Sequence, residues 1–170
     1  NAMAYHAVAD SVGWQTSPVN GTDWFGDTEV GIALTDDDLP IVCAPNSDNM
    51  GVWVAEADSG GDWTITDLAT DRMCEGTIDV DSNIFGVAVA FKGDVYNMVA
   101  WRAAGSGEWL VEDVTSYDPS DSLPVAVVVG DKGPMLVTGV DDESEYPDGL
   151  TFLERTVSDW FGQLLGPSTC

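Results

Sequence analysis

The stretch "ADSGGDWTITDL", Ala57 to Leu68, joins an acidic, glycine-containing turn to a tryptophan that opens a strand-like run. Related wording recurs in "ADSVGWQTSPV" (9–19), "AAGSGEWLVEDV" (103–114) and "RTVSDWFGQLL" (155–165). The tryptophans concerned, Trp14, Trp63, Trp109 and Trp160, are 49, 46 and 51 residues apart. A near-constant period of roughly 40 to 50 residues is the mark of sheet units stacked as blades.

The text before each tryptophan has the same plan: an apolar run, a tight turn, a second apolar run, a turn, a third run, then the tryptophan strand. The second runs, "IVCA", "GVAVAF" and "PMLVTG", are nearly all apolar, as expected of strands covered on both faces. Pro40 to Trp63 and Gly86 to Trp109 are each 23 residues, and Pro134 to Trp160 is 26, which sets the first turns in matching places. Turn residues between short β-branched runs signal hairpins, and no segment keeps a helical period over eleven or more residues. The expected fold is all-β and propeller-like. Three four-stranded antiparallel blades are expected at about 30–68, 77–114 and 124–165, with an N-terminal half blade at about 5–19, in one domain of 170 residues. Each repeated tryptophan is expected to hold neighbouring blades together, because a buried indole covers roughly 150–250 Å². Propellers close with about four to eight blades. Unless the half blade completes an unusually small ring, three and a half leave sheet faces open, which points to self-association or to a piece of a longer ring.

The turn before Trp63 resembles the Asp-box of sialidase-like (BNR-repeat) propellers, Ser/Thr-x-Asp-x-Gly-x-x-Trp. Asp58, Gly60 and Trp63 fall on its Asp, Gly and Trp positions, and Glu56 stands where Ser or Thr belongs. The other three turns match by tryptophan and general shape. The resemblance implies a propeller of four-stranded blades in which this box is a structural turn. In that family hydrolysis uses an arginine cluster, a tyrosine nucleophile and acidic partners. Here Arg72, Arg102 and Arg155 fall at unlike blade positions along the chain, and the four tyrosines carry no accompanying motif.

Thirty acidic residues against five basic ones give a net charge of −25, and Asp outnumbers Glu 22 to 8. Such a surface repels itself at ordinary ionic strength. At molar salt the Debye length falls to roughly 3 Å and the repulsion is screened. The composition resembles that of proteins from extreme halophiles, with a calcium-rich extracellular setting as the second reading. Nucleic acid is not an expected partner, because no basic patch exists to neutralise phosphates. No apolar run reaches the roughly 20 residues of a membrane helix, and no membrane partner is expected. Asn1 and Ala2 read as a tag remnant. If Met3 is the native start the chain is cytoplasmic; otherwise it is an extracellular fragment.

Few residues offer chemistry. The only histidine is His6 and no CxxC pair occurs, which excludes a zinc site of the usual kind. Cys43 and Cys74 are either a pair or two buried thiols, and Cys170 lies at the terminus. No phosphate loop, nucleophile elbow or Ser-His-Asp set is present. Asp79, Asp81 and Asn83, in "DVDSN", alternate oxygen ligands as a calcium loop does. Ile84 and Ala90 stand where an EF-hand needs Gly and Glu, so a plain acidic hairpin competes with a metal site. No cofactor is expected beyond possible calcium. Trp53 and Trp101 lie within apolar strands and read as packing. Trp24, between blades, is the first candidate for a ligand contact. Together these features describe a non-catalytic binding or scaffolding module whose partner is a protein, foremost its own copy. The alternative is a degenerate sialidase-like or carbohydrate-binding propeller.

Overall fold

Short β-branched runs broken by Gly, Asn and Asp turns leave the chain little choice but antiparallel hairpins. The computed structural model describes residues 5–19, 29–46, 50–74, 77–93, 96–114, 123–140, 149–156 and 159–167, and no helix occurs among them. An N-terminal hairpin pairs β1 (Tyr5–Asp10) with β2 (Gly13–Pro18). The first blade is β3 (Gly31–Leu34), β4 (Pro40–Pro45), β5 (Met50–Ala57) and β6 (Trp63–Met73). The second is β7 (Ile78–Asn83), β8 (Gly86–Lys92), β9 (Asn97–Ala103) and β10 (Leu110–Asp113). The third is β11 (Leu123–Gly130), β12 (Gly133–Val140), β13 (Gly149–Arg155) and β14 (Trp160–Pro167). Each blade is an antiparallel meander in chain order, and the hairpin is a separate two-stranded sheet. The all-β, propeller-like architecture of three blades and a half blade is therefore observed.

The turns show why the sequence folds this way. Asn83 and Gly86 close a two-residue hairpin. Gly86 has φ +147°, and a Cβ there would lie 2.2 Å from the Arg102 carbonyl oxygen, so both conformation and space demand glycine. In the turn before Trp63, Asp58 Oδ1 accepts hydrogen bonds from the Gly60 and Asp62 amides at 2.8 and 3.0 Å. Gly61 supplies the positive φ of +87°. The first blade's opening turn is wider: the Thr35 amide donates to the Leu39 carbonyl at 2.9 Å, and Asp38 takes the left-handed conformation.

The blades stack face to face. Ile41, Cys43, Val52, Val54 and Leu68 of the first blade meet Ile78, Val80, Val87, Val89, Phe91, Met98 and Ala100 of the second. The second blade's other face, Ala88, Ala90 and Val99, meets Val127, Val129, Leu136, Leu153 and Trp160 of the third. Val19, just after β2, closes on Val42, Ala44, Trp53 and Ala55 of the first blade. The first strands line up along the inner side, β3 touching β7 and β7 touching β11. Gly31 permits the closest approach, since a Cβ there would lie 3.0 Å from Val80 Cγ1.

The pairing registers correct one expectation. Ile41, opposite Glu56, corresponds to Ala88, opposite Trp101, because both partners precede the tryptophan turn and face the residue after the tryptophan. Pro40 therefore matches Val87 and not Gly86. Between these points the first blade's second turn is longer and its third shorter, and the two differences almost cancel in the 23-residue count.

Candidate functional site

Register makes the blades comparable position by position. One row crosses the first blade as Ala33, Ile41, Glu56 and Thr64. It crosses the second as Asp81, Ala88, Trp101 and Leu110, and the third as Val128, Met135, Glu154 and Phe161. The next row on the same face reads Gly31, Cys43, Val54, then Asp79, Ala90, Val99, then Ala126, Val137, Phe152. In the first two blades these rows face the following blade.

Asp79, Asp81 and Asn83 come together on β7 and work across such a seam. The Val127 amide donates to Asp79 Oδ2 at 2.8 Å, and the Val129 amide donates to Asp81 Oδ2 at 2.8 Å. Asn83 Nδ2 donates to the Val129 carbonyl at 2.8 Å, while its Oδ1 accepts from the Phe85 amide at 2.9 Å. β11 is an edge strand of its sheet. Its outward amides need acceptors once buried in a seam, and the two carboxylates provide them. The alternation that resembles a calcium loop thus matches the two-residue spacing of amides along a neighbouring edge. Among the described residues no group of three or more His, Cys, Asp or Glu side chains is arranged to hold a metal.

The three arginines of the chain also lie at seams. Arg102 pairs with Glu56 of the first blade and lies 4.9 Å from the Trp109 ring centroid. Arg155 grips Glu112 of the second blade through Nε and Nη2, both at 2.6 Å, and lies 5.1 Å from the Trp101 ring centroid. The Glu112 hydrogen bonds raise the Arg155 pKa, against the opposing effect of burial. Arg72 reaches Asp113 of the second blade at 3.3 Å. Along the chain these arginines fall at unlike blade positions, but the register corrects this for two of them. Arg155 is opposite Trp160, and Arg102 follows Trp101, which is opposite Leu110. The pair occupies one structural position, each reaching back to the preceding blade.

Trp63, Trp109 and Trp160 occupy equivalent places, each packed into the core shared with the preceding sheet. Asp58 and Gly60 serve the turn described above. Trp53 is buried in the first blade's outer core, and Trp101 lies in the second seam beneath Arg155. Trp14 begins the second residue of β2, opposite Ala9. Trp24 lies outside the described residues, as does Cys170. Cys43 and Cys74 are reduced thiols buried in the first seam. Burial pushes the Cys43 thiol pKa well above its ordinary range, with nearby Asp79 and Cys74 adding to the rise and a backbone hydrogen bond at Gly31 opposing it.

One position escaped the sequence reading although its signal is plain there. Five residues after each repeated tryptophan stand Val19, Leu68, Val114 and Leu165. The first three are 0%, 6% and 0% exposed, each in the core shared with the following blade. Leu165 is 56% exposed. Its neighbours agree: Ile41, Cys43, Ala88, Ala90, Val54 and Val99 are fully buried, but their third-blade counterparts Met135, Val137 and Phe152 are only partly so. Val128 is 49% exposed. Among the described residues the third blade thus carries the apolar face that receives a following blade, with no described blade upon it.

No protein-family model matches the chain, and no curated protein matches it. Its role has to be read from its own geometry.

Proposed function

We propose that this chain is a non-catalytic, propeller-type binding or scaffolding module, completed by self-association at high salt. The observation that carries the reading is the third blade's outer face, where Leu165 is 56% exposed while its counterparts Leu68 and Val114 are 6% and 0% exposed. An apolar sheet face of this kind marks a contact surface. The charge of −25 sets the condition for using it. Copies so alike in charge repel until salt shortens the Debye length.

Kinship with sialidase-like propellers is retained as a structural proposal resting on the Asp58 turn. The once-hydrolytic alternative needs arginines free to grip a carboxylate, whereas carbohydrate binding alone does not. The ion pairs of Arg72, Arg102 and Arg155 count against the hydrolytic alternative.

Sedimentation equilibrium across a potassium chloride series tests the reading. Mass should rise from one chain to an oligomer between about 0.1 and 3 M salt, as the Debye length falls from roughly 10 Å to under 3 Å. A compact monomer at every salt concentration would refute it.

A further inference from the structure

The three seams among the described residues are built from the same two halves. The following blade contributes a tryptophan at the start of its fourth strand, and the preceding blade contributes the apolar residue five positions after its own. Trp63 meets the core that holds Val19, Trp109 the one that holds Leu68, and Trp160 the one that holds Val114. Among the described residues two halves have no described counterpart. Leu165 and the outer face of the third blade are exposed, with no described tryptophan strand against them. Trp14 stands opposite Ala9 just as Trp63 stands opposite Ala57 and Trp160 opposite Arg155, and no described blade precedes it.

We propose that these halves meet between two copies: the outer face of the third blade receives the N-terminal hairpin, β1 with β2, of a second copy of this chain. The assignment rests on the self-association reading and names its surfaces. Continuity selects the occupant, because the new contact repeats the seam already formed three times within the chain. Leu165 is 56% exposed, so no described residue of its own copy covers it. A two-fold axis lets each copy give its hairpin and receive its partner's, so the interface closes and forms twice per dimer.

The seam between the first and second blades also indicates what this interface lacks. Glu154 holds the register position of Glu56, the acceptor of Arg102. The hairpin residue at the position of Arg102 and Arg155 is Ala9. The natural interface therefore has an acceptor without its cation, and placing arginine at residue 9 should supply it.

The test uses the full chain with Cys170→Ser, in 3 M potassium chloride, by sedimentation equilibrium. Leu165→Asp and Trp14→Ala should each leave a monomer, with circular dichroism showing the blades retained. Ala9→Arg should tighten the dimer by up to about fivefold, the upper end for an exposed ion pair. Glu154→Gln should abolish that gain while leaving the parent dimer intact. A gain that fails without Glu154 cannot arise from a merely misfolded variant. A dimer indifferent to Leu165→Asp, or an Ala9→Arg effect that persists with Glu154→Gln, overturns the assignment and leaves self-association standing. A wild-type monomer at all salt concentrations overturns both. As a check on chain identity, Ala7→Cys and Gln163→Cys carried on differently tagged copies should cross-link between tags. Cross-linking only within a doubly substituted chain overturns the two-copy assignment.

Discussion

Removing the Asp79 and Asp81 carboxylates tests whether these acids are seam clips. Each accepts one β11 amide at 2.8 Å. A hydrogen bond to a charged acceptor is worth about 1.5–3 kcal/mol when its loss leaves a buried donor unmade. Both acids are only half-buried, so water partly replaces them, and about 1–2 kcal/mol per substitution is the reasonable expectation. Asp81→Ala should cost more than Asp79→Ala, because Asn83 also binds the Val129 carbonyl and loses a neighbour when Asp81 goes. Urea denaturation in 2 M potassium chloride, followed by tryptophan fluorescence, measures the loss. Calcium should move the wild-type midpoint no more than magnesium does. Two results would refute the reasoning: a destabilisation under about 0.3 kcal/mol for both variants, or a calcium-specific stabilisation that Asp81→Ala abolishes. The second would restore the metal-site reading of the same three residues.

Other perturbations probe both blade seams. Gly31→Ala would place a Cβ 2.7 Å from Cys43 Sγ and 3.0 Å from Val80 Cγ1. It should cost about 1–3 kcal/mol by overpacking, with Cys43→Ala recovering part of the loss in the double variant. Arg155→Met removes a two-pronged ion pair whose side chains are 19% and 27% exposed. Allowing for screening, a loss of about 2 kcal/mol is expected, and Glu112→Gln should add little once Arg155 is gone. The raised Cys43 pKa means that the folded state holds its proton more tightly than the unfolded chain. Its contribution is complete below the unfolded thiol value near 8.5 and is lost progressively as pH rises towards the folded value. Urea midpoints under reducing conditions should therefore fall more steeply between pH 8.5 and about 10 in the wild type than in Cys43→Ala.

How much of this was legible in the chain depends on the scale of the feature. The blades were legible because a four-stranded meander needs three turns and four apolar runs, and both leave strong local signals in Gly86, Gly133 and the Asp58 turn. The seams were less so. Asp79 and Asp81 look like metal ligands because strand alternation sets oxygens two residues apart, and a neighbouring strand's outward amides have that same spacing. Nothing local distinguishes the two. Arg102 and Arg155 seemed unrelated because turn lengths shift the count, and only pairing register shows that they share a place. By contrast Val19, Leu68, Val114 and Leu165 could have been aligned by eye. What could not be read was that Leu165 alone is uncovered, since exposure depends on which blade comes next.

The acid-rich composition and the seam design answer one another. Salt acts on this molecule in two opposed ways, and distance decides which prevails. The contacts that hold the blades together are short: the Arg155–Glu112 pair is 2.6 Å and partly buried, inside even the roughly 3 Å Debye length of molar salt. The repulsion among surface carboxylates acts over longer separations through water, where molar salt removes nearly all of it. Raising salt therefore weakens what strains the blades apart far more than what clips them together. The same inequality governs two copies approaching each other. Their net charges repel at long range, while the apolar face around Leu165 gains only on contact, and apolar association is not diminished by salts that are excluded from the surface. On the self-association reading, folding and pairing are expected to share one threshold, the ionic strength at which the Debye length falls below the spacing of surface acids.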